Sequence, residues 1–282
     1  MTRVLVTGGN GFIGHHLCRR LINYGHDVIV LVHHHRQRLP CSPSLVAVQG
    51  DVMAVESITA AIDKQGPVDV IAHLATEPPG PGLRLGINEI GTVNVLHATR
   101  VAGVRRVVFT STMSVFDFLD PDLPIPVGED HPVDPTGAYG VEKYTAEEHC
   151  RSIVEQDDGG ADGGELEVVI LRLAGVYGPG KRAGAVDNFL QASLHGDAIE
   201  IVTDRGVDLL WVEDAVTVVT RALGAGAAAG TMQVDSGHAV HLSQIARAAA
   251  DTVCHKGQAA PSITVQSRGH SFCLDISRAR RA

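Results

Sequence analysis

Two patterns of apolar positions alternate along the first two thirds of the chain. Short runs of consecutive apolar, often β-branched residues are separated by longer segments in which apolar residues recur at helical spacing. In residues 12–24, for example, Ile13, Leu17, Leu21 and Ile22 share one face. The pattern predicts strands at residues 3–7, 27–32, 45–48, 68–74, 106–111 and 167–171. It predicts helices at residues 12–24, 57–64, 87–102 and 139–156.

The regular alternation of strands and helices indicates the fold class. Strands that are apolar at every position are buried on both faces, which requires a parallel sheet with helices on either side. We therefore expect an α/β fold built on a doubly wound parallel sheet. Residues 157–164 contain only Asp, Gly and Ala, and they predict a flexible surface insertion.

Composition and charge exclude several classes of partner. The chain has 282 residues and a net charge of −9. Nucleic acid is not expected to bind, because contact with a phosphate backbone needs a basic footprint. No apolar run is long enough for a membrane span, and the first strand begins too early to leave room for a signal peptide. The five cysteines lack paired spacing, so we expect reduced thiols and a cytoplasmic location.

Glycines are concentrated where the first strand gives way to the first helix. Residues 7–14 read Thr-Gly-Gly-Asn-Gly-Phe-Ile-Gly. Such glycines allow a tight turn and let backbone amides approach a pyrophosphate, while the helix N-terminus adds the positive end of its dipole. The strand, turn and helix that this motif requires are all predicted, so we expect dinucleotide binding here. The candidate contacts are Gly8, Asn10, Gly11, Phe12, Ile13 and Gly14.

This motif gives the expected domains a function. Residues 1–173 are expected to form a dinucleotide-binding Rossmann-type domain. Residues 174–282 are expected to form mainly a smaller C-terminal substrate-binding lobe, with some chain returning to the sheet. The apolar pattern loosens after Leu173, so we expect this lobe to be built from irregular returns of the chain and not from a separate block of sequence.

A basic cluster, His-His-His-Arg at residues 33–36, follows the second predicted strand. Proteins that bind NAD usually place an acid here for the ribose hydroxyls, whereas an Arg accommodates the 2′-phosphate of NADP. His33 and Arg36 therefore favour NADP over NAD. The alternative is an exposed loop, with NAD bound through other contacts. A metal site is not expected, because consecutive histidines point in divergent directions.

Tyr139 and Lys143 lie four residues apart on a predicted helix, so their side chains face the same way. A nearby ammonium favours the phenolate and lowers the pKa of the phenol. A phenol tuned in this way accepts a proton from an alcohol or donates one to a carbonyl, while hydride moves between the substrate carbon and a nicotinamide. The same spacing also occurs in helices that have no catalytic role.

Hydroxyl side chains close the fifth predicted strand, at Thr110, Ser111, Thr112 and Ser114. The carboxyl ends of the strands line the ligand crevice in a doubly wound sheet. A hydroxyl there is placed to hydrogen-bond the reacting oxygen. The alternative is a strand end capped by small polar residues, which is common.

Taken in order, these motifs resemble the extended short-chain dehydrogenase/reductases, the NAD-dependent epimerase/dehydratase family. The resemblance covers nearly the whole chain and rests on residues 7–14, 50–52, 73–76, 88, 91–94, 111–112, 139–143, 171–173, 176–180 and 211–214. It implies an NAD(P)-dependent enzyme with a small-molecule substrate. In many members the helices that match residues 87–102 and 139–156 form a dimer interface, so the resemblance also implies a homodimer.

The resemblance implies roles for single residues. Tyr139 is the general acid/base, Lys143 holds the nicotinamide ribose and tunes Tyr139, and Thr112 is the catalytic hydroxyl. Asn88 supports the sheet near the site. Further cofactor contacts are expected at Asp51, Val52, Leu74, Ala75, Thr76 and Thr110.

Several diphosphate contacts of nucleotide-sugar enzymes in the family are missing. An Asn that often makes such a contact is Gly175 here, and a later Arg is Val207, with Arg205 nearby. Lys181 and Arg182 are alternative phosphate partners, unless they belong to a solvated loop. The expected substrate contacts are Thr112, Ser114, Gly175, Val176, Lys181, Arg182 and Arg268.

The departures from the family also restrict the reaction. Members that are 4,6-dehydratases carry an Asp-Glu pair where this chain has Met113 and Ser114. Members that are 3,5-epimerase/reductases use a Cys and a His where it has Ser114 and Gly180. Both reactions are therefore disfavoured. The remaining reactions need only hydride transfer and Tyr139: 4-epimerisation through a 4-keto intermediate, or simple reduction or oxidation.

Three functions stay open at this point. A nucleotide-sugar 4-epimerase or 4-ketoreductase is favoured by the family resemblance. An NADP-dependent reductase or dehydrogenase of a non-nucleotide ketone or alcohol is favoured by the missing Asn and Arg. A dinucleotide sensor without catalysis is disfavoured, because Tyr139, Lys143 and a hydroxyl are all retained.

Overall fold

Strands and helices alternate through residues 2–33, 39–80, 84–157, 165–254 and 259–281, which this computed structural model describes. The strands are β1 (Arg3–Thr7), β2 (Asp27–Val32), β3 (Leu45–Gln49), β4 (Val70–His73), β5 (Arg106–Thr112), β6 (Glu167–Leu173), β7 (Gly175–Tyr177), β8 (Ile199–Trp211), β9 (Gly230–Val234), β10 (Ala239–His241) and β11 (Ile263–Ser271). The helices are α1 (Phe12–Asn23), α2 (Val55–Gln65), α3 (Ile87–Val101), α4 (Ala138–Glu155), α5 (Ala185–His195), α6 (Val212–Ala222), α7 (Leu242–Cys254) and α8 (Ser277–Arg281), with a 3₁₀ turn at Met113–Val115. None of the helices within these ranges has the length and apolarity to cross a membrane.

The central sheet is parallel and has seven strands in the order β3-β2-β1-β4-β5-β6-β9. Side chains alternate between the faces of a strand, so β1 places Val4 and Val6 in one core and Leu5 in another. Helices α1 and α6 complete the first core, and α2, α3 and α4 complete the second. This arrangement confirms the predicted α/β, Rossmann-type doubly wound fold.

The chain beyond residue 174 builds a second layer and also returns to the first sheet. Strand β9 adds an edge strand beside β6. Strand β8 is the centre of a smaller sheet, in which β10 is antiparallel and β7 and β11 are parallel to it. Between these strands the chain forms three regular helices, α5, α6 and α7. Only one face of β8 is well covered, so its apolar positions alternate and lack the continuous runs of the central strands.

Two buried carboxyl groups lie where the smaller sheet meets the central one. Asp208 on β8 is completely buried, and Asp235 directly follows β9. Ser236 donates its hydroxyl to Asp208 and its backbone N–H to Asp235. Burial, together with a hydrogen bond to Asp208 and the negative charge of Asp208, raises the pKa of Asp235 to about 9. One proton shared by the pair therefore holds the two carboxyl groups together at neutral pH.

Replacing Asp235 with asparagine is expected to stabilise the protein more as the pH rises. The folded chain keeps the shared proton up to a pKa of about 9, whereas the unfolded chain releases it near the ordinary carboxyl value of 3.8. The wild-type free energy of unfolding therefore falls between these two values, by at most about 1.4 kcal/mol per pH unit. The amide of the Asp235→Asn variant does not titrate, so this loss of stability with rising pH is absent from the variant. Urea unfolding across this pH range measures the difference, and the same substitution at exposed Asp63 is the control. A difference in the free energy of unfolding between variant and wild type that stays constant with pH would contradict the shared proton.

Candidate active site

The glycine turn between β1 and α1 packs closely against the residues that follow β4. Gly8 has a φ of 70°, and a Cβ there would lie 2.6 Å from the carbonyl carbon of Leu74. A Cβ on Gly14 would lie 2.1 Å from the carbonyl oxygen of Gly8. Among the described residues no side chain caps α1 at Gly11, and its first turn contains no acid. The turn, which also contains Asn10, Phe12 and Ile13, therefore presents backbone amides and a helix dipole suited to a pyrophosphate.

The ends of β2 and β3 bring a histidine and an acid together. His33 Nε2 lies 3.2 Å from Asp51 Oδ2, and both side chains are partly exposed. Beside them, Val52 packs so closely against α3 that a Cβ on Gly91 would lie 3.0 Å from it. Arg36, the predicted partner of a 2′-phosphate, lies outside the described residues. Within the described part, the positive charge expected at the end of β2 is opposed by a carboxylate from the neighbouring strand.

A buried histidine joins the strands beneath the site. His73 Nδ1 lies 2.7 Å from Thr7 Oγ1, and His73 Nε2 lies 3.0 Å from Thr92 Oγ1. Burial, together with the positive charge of Lys143, lowers the pKa of His73 to about 3, so the imidazole is neutral. Its ring stacks on Phe109, and the Lys143 ammonium lies 4.1 Å from the centre of the Phe109 ring. The same network includes the backbone N–H of Ala75, which donates to Thr7, and the hydroxyl of Thr110, which donates to the His73 carbonyl.

Helix α4 brings Tyr139 to the carboxyl end of β5. A Cβ on Gly140 would lie 2.1 Å from the carbonyl oxygen of Ser114, so a larger residue would push α4 away from the 3₁₀ turn. This close approach brings the Tyr139 hydroxyl near the hydroxyls of Thr112 and Thr76, which favour its charged form. The predicted acid/base residue and the predicted catalytic hydroxyl therefore lie at the same end of β5.

Burial dominates the protonation of Tyr139 and Lys143. It raises the pKa of Tyr139 above its ordinary value, against the hydrogen bonds from Thr76 and Thr112. It also lowers the pKa of Lys143 to about 7, against the opposing electrostatic effects of Cys150 and Glu147. The sequence led us to expect that Lys143 lowers the pKa of Tyr139, and for the structure described this expectation was wrong. A partly deprotonated lysine carries too little positive charge to outweigh the removal of the phenol from water.

A buried ion-pair network lies one helical turn beyond Lys143. Glu147 is completely buried and accepts hydrogen bonds from Ser111 at 2.6 Å and from Arg172 and Arg151 at 2.7 Å each. Burial raises the pKa of Glu147, but Arg172, Ser111 and Arg151 together bring it below its ordinary value. The sequence pattern did not reveal this network, although Glu147 continues the four-residue spacing of Tyr139 and Lys143.

A second polar network connects β4, α3 and α4. The Thr76 hydroxyl donates to Asn88 Oδ1 at 2.7 Å, and Asn88 Nδ2 donates to Glu142 Oε2 at 3.0 Å. Gly86 donates its backbone N–H to the other oxygen of Glu142. Asn88 thus supports the segment after β4, and Glu142 is a buried residue of the site that sequence reasoning did not identify.

Four of the predicted substrate contacts lie at the end of β5 or on β7. Thr112 Oγ1 accepts the backbone N–H of Ser114 at 3.1 Å and donates to its hydroxyl at 3.2 Å. Gly175 and Val176 lie on β7, where they pair with the apolar residues Leu209 and Leu210 of β8.

The predicted basic contacts lie in different places. The Lys181 ammonium lies 5.4 Å from the centre of the Phe12 ring, beside the glycine turn. Its loop is held on α1 by a 3.0 Å contact between His16 Nε2 and the Pro179 carbonyl. Arg182 is exposed, and Arg268 is exposed on β11, in register with Asp204 of β8. Of these cations, Lys181 is therefore the one positioned near a predicted phosphate site. No group of three or more metal-ligating side chains occurs in the described residues.

Comparison with known proteins gives consistent similarities. Residues 4–234 match the family described as the NAD dependent epimerase/dehydratase family. A UDP-glucose 4-epimerase of Mycolicibacterium smegmatis is 31% identical over 259 residues, which are 86% of this chain and 79% of that protein. A 2-alkyl-3-oxoalkanoate reductase of Stenotrophomonas maltophilia is 31% identical over 185 residues, which are 63% of this chain and 52% of that protein. The crystal structure of the Bordetella bronchiseptica enzyme WbmH in complex with NAD+ is 26% identical, with a TM-score of 0.85 over 100% of this chain and 91% of that one.

Proposed function

Because the chain belongs to the NAD-dependent epimerase/dehydratase family, as its motifs predicted, we propose that it is a nucleotide-sugar 4-epimerase. The observation that carries the proposal is the close approach of α4 to the end of β5 at Gly140, which brings Tyr139 near Thr112, with Lys143 one turn further along the helix. The similarity to a UDP-glucose 4-epimerase over most of both chains supports this choice among the reactions of the family.

The proposed reaction assigns proton transfer to Tyr139. The phenolate form of Tyr139 accepts the proton of the sugar 4-hydroxyl as that carbon is oxidised, and the phenol so formed returns it to the oxygen after the keto sugar has rotated in the pocket. Thr112 hydrogen-bonds the same oxygen and orients it. The bound nicotinamide supplies the hydride acceptor and donor. Lys143 would hold the nicotinamide ribose.

We propose NAD as the cofactor, held at the glycine turn by the N-terminal amides of α1. The similar WbmH enzyme was crystallised in complex with NAD+, which supports this choice. The pairing of His33 with Asp51 also supports it, because a carboxylate at this edge repels a 2′-phosphate. The sequence-based preference for NADP then depends on Arg36 alone. Asp51 and Val52 are assigned to the adenine, and Leu74, Ala75 and Thr110 to the strand ends beside the nicotinamide half.

Lys181 is assigned to a diphosphate, because it is half-buried beside Phe12 and the glycine turn. It would supply the positive charge that Gly175 and Val207 do not provide. We further propose a homodimer formed through α3 and α4, and a cytoplasmic location. Burial of exposed apolar residues on these helices would stabilise the dimer; they are Ile90, Val93, Val101, Val141 and Val154.

Incubation with UDP-glucose tests the proposed function. We expect the C4 epimer to form, detected by NMR, with no net change in NADH absorbance. Mass spectrometry of the denatured purified protein is expected to show retained NAD, and calorimetry of stripped protein is expected to show tighter binding of NADH than of NADPH. A preference for NADPH that disappears in Arg36→Ala would overturn the cofactor assignment. Absence of epimerisation with UDP-glucose and other nucleotide sugars would overturn the epimerase.

A ketone reductase is the second candidate. The similarity to the 2-alkyl-3-oxoalkanoate reductase favours it, as do Gly175 and Val207 in the places of diphosphate contacts. Val207 pairs with Val240 across β8 and β10, which adds an apolar surface there. This candidate predicts stoichiometric oxidation of free NADPH or NADH with a non-nucleotide ketone, whereas an epimerase consumes neither.

A further inference from the structure

We propose that His16 is a positioning residue, which holds the turn that carries Lys181 and so sets the affinity for a diphosphate. The inference rests on the proposed function in one respect, the assignment of Lys181 to a diphosphate. His16 lies on α1, one helical turn after Phe12, and is 8% exposed. Its ring packs edge-on against Phe12, with 5.9 Å between the ring centres. His16 is therefore buried one turn away from the end of α1 that presents its amides at the glycine turn.

The imidazole of His16 lies between two hydrogen-bond acceptors from different parts of the chain. Its Nδ1 lies 2.7 Å from Glu213 Oε1 on α6, and its Nε2 lies 3.0 Å from the carbonyl oxygen of Pro179. A carbonyl oxygen only accepts, so Nε2 carries a proton. Burial raises the pKa of Glu213, but the hydrogen bonds and charges of His16 and Arg20 bring it below its ordinary value, so the carboxyl group is ionised. Nδ1 therefore carries a proton as well, and His16 donates on both sides as an imidazolium.

The segment that His16 holds is a tight turn. The backbone N–H of Lys181 donates to the carbonyl of Gly178 at 3.1 Å, which closes the turn. Pro179 is its second residue and Gly180, with a φ of 91°, is its third, as a type II turn favours. A Cβ on Gly178 would lie 2.6 Å from a side-chain carbon of α6, so the start of the turn packs tightly. The turn is thus held by packing at Gly178 and by His16 at Pro179, and Lys181 closes it.

The position of this turn decides where the Lys181 ammonium lies. The ammonium lies 5.4 Å from the centre of the Phe12 ring, at the end of α1 that is assigned to phosphate. Phe12 and His16 are four residues apart on one face of α1, so the helix that presents the amides also holds the turn that carries the cation. A lysine side chain is long and flexible, and fixing its backbone lowers the entropy lost when it binds an anion. Loss of the contact with Pro179 would leave Lys181 intact but less often in place.

Two substitutions at His16 separate its two hydrogen bonds. A glutamine amide reaches as far as Nε2 and keeps the donor to Pro179, whereas an asparagine amide reaches only as far as Nδ1 and keeps the donor to Glu213. We expect His16→Asn to weaken binding of UDP or of NADH roughly three- to tenfold in calorimetry, the equivalent of one hydrogen bond. His16→Gln is expected to bind within about twofold of wild type. His195→Asn is the control, because the exposed His195 ring lies 2.8 Å from the Gln191 carbonyl of its own helix.

The two ligands identify which diphosphate Lys181 binds. Weaker binding of UDP alone assigns the lysine to the substrate, and weaker binding of NADH alone assigns it to the cofactor. In the first case the KM for UDP-glucose is expected to rise in His16→Asn while kcat changes little, because the chemistry at Tyr139 is untouched. Either result supports the positioning role of His16.

A double-mutant cycle with Lys181→Met shows whether His16 acts through the lysine. The single substitution Lys181→Met is expected to weaken the same ligand roughly tenfold. Adding His16→Asn is then expected to cost no more than about a further twofold, since the cation that His16 positions is already absent. Gly180→Ala strains the turn from its exposed side, where φ is 91°, and replaces His16→Asn in the cycle if that variant does not fold.

Several results would overturn the positioning role. Losses that multiply in full in the double variant would show that His16 and Lys181 act independently. Equal binding by the asparagine and glutamine variants would show that the contact with Pro179 is unimportant, and so would unchanged binding of both ligands in His16→Asn. If no nucleotide sugar is epimerised, the proposed function fails, but calorimetry with UDP and NADH still shows whether His16 positions Lys181.

Discussion

Replacing Tyr139 with phenylalanine is expected to lower epimerase turnover by roughly 10²- to 10⁴-fold, the usual contribution of a positioned acid/base group. The hydroxyl is the group that carries the transferred proton, and the ring itself is retained in the variant. Cofactor affinity is therefore expected to change little, because the glycine turn and Lys143 are untouched. Steady-state kinetics with UDP-glucose and calorimetry with NAD measure the two quantities separately.

Tyr144→Phe is the matched control for this prediction. Tyr144 lies on the same helix and is partly buried, but its ring packs with the cluster of Val115 and Phe116. Its variant is expected to retain normal turnover. If Tyr139→Phe kept most of its activity, Tyr139 would be removed from the mechanism and proton transfer would require another group.

Replacing Glu147 with glutamine is expected to destabilise the fold by about 3–5 kcal/mol, the range measured when one partner of a buried ion pair is removed. Arg172 is 2% exposed, and its guanidinium makes two of its closest contacts with Glu147. Without that carboxylate a buried positive charge would keep only weak contacts, such as the ring of Phe116 at 5.2 Å. Urea unfolding followed by the fluorescence of Trp211 measures the loss.

Two further variants distinguish the contribution of the ion pair to stability from that of general packing. Combining Glu147→Gln with Arg172→Met removes both charges and is expected to recover much of the stability, because no unpaired charge remains buried. Arg151→Met breaks a pair in which the arginine is 34% exposed, so its cost is expected to stay below about 1 kcal/mol. If Glu147→Gln lowered the free energy of unfolding as little as Arg151→Met, Arg172 would be hydrogen-bonded by water or by another partner in the variant.

The strands and helices up to Leu173 could be predicted from the sequence alone. Their ends in the structure differ from the prediction by no more than two residues. The reason is that strands buried on both faces and helices with one apolar face leave a local periodicity. The smaller sheet could not be predicted in the same way, because β8, β10 and β11 pair across long stretches of chain and are covered on one face only.

The residues of the candidate site also fall into those that the sequence reveals and those that only the structure reveals. The glycine turn and the spacing of Tyr139 and Lys143 are local features, so the sequence was sufficient to place them on a strand end and a helix. The link from Asn88 to Glu142 and the pair of Glu147 with Arg172 join different elements, and no spacing along the chain reveals them. The same holds for the carboxyl pair of Asp208 and Asp235.

By itself, the sequence determined the family, the doubly wound fold and the residues to examine, because those depend on order and spacing along the chain. Only the tertiary structure decided the pKa values of Tyr139 and Lys143. Burial raises the pKa of Tyr139 and lowers that of Lys143, opposite to the tuning expected from their spacing. The physical reason is that a pKa depends on withdrawal from water and on the charges and donors nearby, and the fold brings these together from distant positions.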